Sequence, residues 1–194
     1  MSENDKQLIE DFQEGDEFAF ISIYNRYKTP LYAFCVKMLG DQELARDVMQ
    51  ETFLRVYENR HRLSNSGAFK AWIFTIARNQ CLNQIRRARW QVPFEDEREA
   101  TTFAQETPVS RLEKSERITL VSHFINELKP EYREVVVLRE YQNMSYEDIA
   151  AITRSTLSAV KSRLFKARRK LAAMIGPVLE AERAEAEAGP AAKK

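Results

Sequence analysis

The 194-residue chain carries 30 Lys or Arg against 29 Asp or Glu, and its net charge of +1 singles out no partner. Five Gly and six Pro leave little room for a turn-rich β-protein, and no apolar run reaches the roughly 18–20 residues of a membrane span. The length suits one medium domain or two small ones, and the dominant helical periodicity predicts an all-α fold.

Charge is unevenly spread along the chain. Residues 1–90 hold 13 basic and 12 acidic side chains, 91–116 hold 3 and 7, 117–171 hold 11 and 6, and 172–194 hold 3 and 4. This pattern predicts two small helical domains, 1–90 and 116–175, joined by a flexible acidic linker, 91–115, and followed by a mobile tail, 176–194. Cys35 and Cys81 lie in apolar helical patterns and are expected as reduced thiols. With an acidic N-terminus unlike a signal peptide, they predict a cytoplasmic protein. His61 and His123 have no paired ligand spacing, so no metal and no cofactor is expected.

In chain order, Leu8, Ile9 and Phe12 form a short apolar stripe ending at Gly15, and Asp16 caps a helix carrying Phe20, Ile23, Tyr24 and Tyr27. Pro30 is expected to start the next helix, with Leu31, Phe34, Cys35 and Met38, which Gly40 stops. Asp41 caps a helix expected to run to Leu63. There Leu44, Val48, Met49, Phe53 and Val56 turn inward, while Asp47, Gln50, Glu51, Arg55 and Glu58 turn out. A polar loop, Leu63–Phe69, leads to a long helix from about Ala68 to Trp90 with an apolar side at Phe69, Trp72, Ile73 and Ile76. Two Trp (Trp72, Trp90), two Asn (Asn79, Asn83) and four Arg (Arg78, Arg86, Arg87, Arg89) along that helix would suit single-stranded nucleic acid, with cations for phosphates, amides for base edges and aromatics for stacking. Trp72 is expected in the core. Residues 91–115 contain two Pro and no stable period. A helix near Leu112–Leu128 and another begun by Pro130 follow.

The segment Met144–Leu171 reads as a helix-turn-helix. Ser145 and Asp148 have the spacing of a capping box, and Ile149 and Ile152 make an apolar side. The break falls at Thr153-Arg154-Ser155, and Ser155 or Thr156 caps the second helix. Val160, Leu164, Ala167 and Leu171 form its buried stripe. Ser158, Ser162, Phe165, Lys166 and Arg169 point the opposite way, with Lys161, Arg163 and Arg168 on the flanks. Arg154 to Lys170 holds seven basic residues and no acidic one, which suits a helix laid in a major groove. Gly176-Pro177 is expected to end it.

Four blocks in order, GDEFAFISIYNRY, ARDVMQETFLRVY, FKAWIFTIARNQCLNQIRRAR and LKPEYREVVVLREYQNMSYEDIAAI with AVKSRLFKARRKL, resemble the bacterial extracytoplasmic-function sigma factors. The resemblance covers roughly Leu8 to Ile175. It implies a transcription initiation factor, not an enzyme, that binds core RNA polymerase and directs it to promoters through the −35 and −10 elements. In such factors region 2, here 1–90, binds the clamp helices of the β′ subunit, which implies Asp47, Gln50, Glu51 and Arg55. It also melts the −10 element and holds a flipped base, implying Asn65 and Ser66 in the loop and Arg78, Asn79, Asn83, Arg86 and Arg87 along the non-template strand. Region 4, here 116–175, binds the β flap and reads the −35 element, implying Ser158, Lys161, Ser162, Arg163, Phe165, Lys166 and Arg169. Promoter DNA and core polymerase are the implied partners. An anti-sigma factor is a further partner the family often has, and the free protein is expected as a monomer. The chain departs from the family at Arg154, where Gly is common, and at Thr156 and Ser158-Ala159, where Pro and Gly-Thr are usual.

Two other readings compete with this one. A stand-alone helix-turn-helix regulator needs a ligand or phosphorylation domain, and the N-terminal half has neither a Gly-rich pocket nor a phosphoacceptor pattern. A nucleic-acid enzyme needs clustered carboxylates or an activated nucleophile. Glu95-Asp96-Glu97 is the one dense acidic cluster, and it lies in the linker.

Overall fold

The computed structural model describes residues 3–63, 65–91 and 120–187, and every regular element among them is helical. Helix α1 spans Glu3–Glu14, α2 Glu17–Leu39 and α3 Gln42–Glu58. Two short 3-10 turns, Arg60–Arg62 and Ser66–Ala68, lead into α4, Phe69–Gln91. Helix α5 covers 120–126. Then come α6, Pro130–Val136, which widens into a π turn at Val137–Tyr141, α7, Tyr146–Thr153, and α8, Leu157–Glu187. All of the linker reading beyond Gln91, the part of the expected Leu112–Leu128 helix before 120 and the last seven residues of the tail lie outside the described residues.

Local chemistry sets most boundaries. Asp16 accepts from the Ala19 N–H at 2.9 Å, and Asp41 accepts from Glu43 and Leu44 at 2.8 and 2.9 Å. Each such cap contributes about 1 kcal/mol. Gly40, at φ +73°, closes α2 by donating to the Val36 carbonyl at 2.8 Å. Ser145 and Asp148 form the reciprocal capping box, and the Thr156 hydroxyl accepts from Ala159 N–H at 3.2 Å.

Four expectations need correction. Pro30 starts no helix; it sits inside α2. It forfeits the bond to the Arg26 carbonyl and costs about 3 kcal/mol, but Ile23, Leu31, Phe34, Cys35 and Met38 bury one continuous face across it. Gly176-Pro177 does not end α8, which continues to Glu187 through Ala and Glu, both good helix formers. Helix α3 stops at Glu58 and gives way to the 3-10 turn before Leu63. Leu44, on the first turn of α3, is exposed rather than inward.

The first four helices enclose an aromatic core. The Phe34 and Phe74 rings meet edge-on at 5.5 Å, and Phe12 meets Phe69 at 6.1 Å. Helices α6 to α8 form a second core from Leu138, Ile149, Ile152, Val160, Leu164 and Ala167. The two helical domains also pack on each other: α4 lies against α7, and α2 against α6 and the π turn. One continuous apolar cluster runs through both. In the middle of it Glu134, Val135, Val136, Val137 and Leu138 are buried in succession. A helix buried on every side is sandwiched between partners, and the π turn, closed by Gln142 N–H on the Val137 carbonyl at 3.2 Å, lies at that junction.

Candidate nucleic-acid interface

Helix α8 has the two faces expected of a recognition helix. Val160, Leu164 and Ala167 are buried, and Leu171 is half-buried at the same side. Ser158, Lys161, Ser162, Lys166 and Arg169 are exposed, and Phe165 keeps 67% of its surface in contact with water. An aromatic left this open is available to apolar contact with a thymine methyl. Arg163 departs from the set. It is half-buried and lies 3.7 Å from the Glu134 carboxylate. Arg168, on the flank, is held by Glu140 at 2.6 Å on the surface. The turn before α8 places Arg154 at φ +50°, in the left-handed region, with its N–H on the Ala150 and Ala151 carbonyls. A non-Gly residue there costs about 1–2 kcal/mol.

Helix α3 presents Asp47, Gln50 and Arg55 to solvent, with Glu51 half-buried beside them. Glu51 accepts from Arg55 Nε at 2.7 Å and from Gln80 of α4 at 3.4 Å, so the charges are ordered along the helix.

Along α4, Asn79, Asn83, Arg86 and Arg87 are exposed, and Arg86 donates to Asn83 Oδ1 at 2.6 Å. In the preceding turn Asn65 is exposed and accepts from Gly67 N–H at 2.8 Å, while Ser66 is half-buried. A cleft of about 240 Å³ opens between α3 and α4. Arg55 and Arg62 supply cations to it, Asn59, Asn79, Gln80 and Asn83 supply amides, and Trp72 and Ile76 form its apolar wall. Trp72 is thus half-buried rather than fully core, tilted on Phe69 at 5.9 Å.

Arg78 is not with the other cations of α4. It forms a two-bond ion pair with Glu134 of α6, Nε to Oε2 at 2.7 Å and Nη2 to Oε1 at 3.2 Å. Its side chain is 15% exposed and that of Glu134 2%. Burial pushes the Glu134 carboxyl above the ordinary carboxylate range, against the pull of Arg78 and Arg163. Sequence reasoning missed Glu134 and the cleft wall. The one signal for Glu134 was its place directly before the apolar run Val135–Leu138.

Cys35 and Cys81 are free and buried. The Cys81 thiol is pushed well up, first by its hydrogen bond with Cys35 and then by burial, so it is a poor nucleophile. Among the described residues no group of three or more His, Cys, Asp or Glu could hold a metal ion, and no helix is long and apolar enough to cross a membrane.

Comparison with known proteins follows the same division. The family model for sigma-70 region 2 matches residues 23–91, and that for sigma-70 region 4 matches 118–171. Among curated relatives, the RNA polymerase sigma-H factor of Pseudomonas aeruginosa is 30% identical over 186 residues, 91% of this chain and 96% of the relative. The extracytoplasmic-function RNA polymerase sigma factor SigM of Bacillus subtilis is 32% identical over 154 residues, 78% of this chain and 92% of that one. Among solved structures, CnrH in complex with the cytosolic domain of CnrY shares the fold, with a TM-score of 0.70 at 23% identity, over 89% of this chain and 97% of CnrH. The sigma factor RpoE of Bartonella quintana, in complex with the anti-sigma factor NepR, gives 0.64 at 25% identity, over 81% and 96%.

Proposed function

The chain belongs to the sigma-70 family, in its extracytoplasmic-function branch, as a promoter-specific transcription initiation factor that binds RNA polymerase, and we propose how its surfaces divide that work. The α3 face of Asp47, Gln50, Glu51 and Arg55 takes the β′ clamp helices. Region 2 corresponds to about 1–90 and region 4 to about 116–175, the latter also meeting the β flap. The exposed face of α8, Ser158, Lys161, Ser162, Phe165, Lys166 and Arg169, enters the major groove of the −35 element, with Arg163 at its edge. The loop at Asn65 and Ser66, the α3–α4 cleft and the α4 positions Arg78, Asn79, Asn83, Arg86 and Arg87 take the unpaired −10 strand. Amides in the cleft read base edges, and Trp72 supports a base removed from the stack. Unpairing that base costs a few kcal/mol, which these contacts offset.

The observation that supports this reading best is the two-sidedness of α8. Its buried stripe leaves a basic face with an exposed aromatic residue, and no acidic side chain lies on it from Arg154 to Lys170. The protein acts in the cytoplasm, as a monomer when free, without catalytic activity of its own. An anti-sigma factor, as in the RpoE–NepR complex, is a fitting partner. Core polymerase reconstituted with the protein should start transcription at a discrete promoter set, mapped genome-wide. Free protein should bind duplex DNA weakly, because a handful of phosphate contacts gives limited affinity at physiological salt. Specific sub-nanomolar binding to promoter duplex without polymerase would overturn the assignment in favour of a stand-alone regulator.

A further inference from the structure

The turn between α3 and α4 is held from a third helix. Gln13, on the last turn of α1, is half-buried and directs its side-chain amide at two backbone carbonyls. Its Nε2 donates to the Leu63 oxygen at 2.6 Å and to the Arg60 oxygen at 3.4 Å. Those two carbonyls flank Arg62, which lines the cleft between α3 and α4. Within the turn itself the Leu63 N–H reaches the Arg60 carbonyl at 3.4 Å, a long bond, so the amide adds to a weak closure. The neighbouring residue of α1 holds the other end of the segment. Phe12 is fully buried and meets the ring of Phe69, where α4 begins, edge-on at 6.1 Å. Asn65 and Ser66 lie between these two anchors. A Cβ at Gly15 would stand 3.7 Å from Arg60 Nη2, so the end of α1 approaches the turn closely.

We propose that Gln13 is a positioning residue for −10 recognition: its amide sets the turn that carries Arg62 into the cleft, and so presents Asn65 and Ser66 to the unpaired strand. The proposal rests on the functional reading of that cleft given above. Residue 13 lies outside the stretch matched by the region 2 model, 23–91, and touches no nucleic acid in this reading. Its role follows from its chemistry. Both partners are carbonyl oxygens, so the group that joins them must donate twice. An amide NH2 does this without charge, whereas a carboxylate would repel both oxygens. The bonds further along the segment are local. Asn65 Oδ1 accepts from Gly67 N–H at 2.8 Å, and the Asn65 carbonyl accepts from Ala68 N–H at 3.0 Å. They shape the loop, while Gln13 fixes it to the helical body across 47 and 50 positions of sequence. Discrimination among bases needs contacts that are in place before the base arrives, because a turn free to shift can follow either base.

The test uses the full chain. Gln13→Met keeps the length of the side chain and removes the donor, and Gln13→Lys keeps a donor. Gln7→Met makes the first change at an exposed position of the same helix. Amide hydrogen exchange of the free protein reads the tether. Gln13→Met should speed exchange at residues 60–63 and 65–68 several-fold and leave the buried amides of α2 and α3 at the parent rate. Gln13→Lys and Gln7→Met should match the parent. Promoter libraries randomised at the −10 or the −35 element, transcribed by core polymerase with each variant, read the consequence. Gln13→Met should lower discrimination among −10 sequences by about 3- to 10-fold with −35 preference unchanged, and Gln13→Lys should restore it. Arg62→Ala should also lose −10 discrimination, and the double variant should be no worse than the worse single, because Gln13 acts through the turn. A purely structural contribution would lower output from every promoter alike and leave the ratios among −10 sequences unchanged. That result would overturn the proposal, as would equal effects from Gln7→Met or losses that multiply in the double variant. Unchanged exchange in Gln13→Met would overturn the positioning alone, since that measurement needs neither polymerase nor promoter. Faster exchange together with intact −10 discrimination in Arg62→Ala would instead strike the reading of the cleft, and the proposal with it.

Discussion

Phe165 and Val160 are five residues apart on one helix and should fail in opposite ways. Val160 is 0% exposed, and Val160→Ala removes two buried methyl groups, each worth about 0.8 kcal/mol. With the cavity left behind, the loss should reach about 2–3 kcal/mol. For a chain of this size that lowers the melting temperature by about 5–10 °C. Phe165 is 67% exposed, so Phe165→Ala gives up little burial and gains helix propensity, leaving stability within about 1 kcal/mol. Its loss should instead cost about 1–3 kcal/mol of discrimination at one −35 position, roughly 5- to 150-fold. The assay is a randomised −35 promoter library transcribed by core polymerase with each variant, alongside thermal melts of the same preparations. If Phe165→Ala melts as low as Val160→Ala and leaves −35 preference untouched, the DNA-facing side of α8 has been misassigned.

Charge reversal at Glu51 or Arg55 should weaken core polymerase binding in a pull-down titration. Stability should change by no more than about 0.5 kcal/mol, since the pair is a surface i,i+4 bridge. Arg154→Gly should raise stability by about 0.5–1 kcal/mol, because relief of the left-handed strain at φ +50° exceeds the added entropy of the unfolded chain. A lower urea midpoint would show that the Arg154 side chain supports the turn. Lys166→Ala and Arg169→Ala should both leave melting unchanged. A base contact will appear as relaxed preference at one −35 position, and a phosphate contact as uniform weakening with a salt slope shallower by about 0.9.

Elements whose ends are dictated by local chemistry were readable in the sequence: Asp16, Asp41, Gly40 and the Ser145–Asp148 box all do locally what their residue types do in isolation. So was the rotation of α8, because a buried stripe at helical spacing fixes the opposite face. Pro30 and Pro177 misled because a proline's cost is local while the burial or propensity that outweighs it is summed over the whole helix. The Glu134–Arg78 pair could not be read from the chain at all. It joins residues 56 positions apart, and nothing in the spacing of either helix indicates which domain faces which. The α3–α4 cleft was half legible. Arg55, Asn79 and Asn83 were singled out, but Asn59 and Arg62 were not, because they line it from the 3-10 turn that replaces the expected end of α3.

The run of apolar residues buried in succession from Val135 to Leu138 gives the molecule a temperature dependence. Where two domains share an apolar seam, parting them wets hydrocarbon and raises the heat capacity by about 0.45 cal/K/mol per Å² exposed. Seams of this kind weaken on cooling, since the hydrophobic driving force fades toward low temperature. The contact between the domains should therefore be loosest in the cold, and the buried Arg78–Glu134 pair offers no offset, because desolvating its charges costs more as temperature falls.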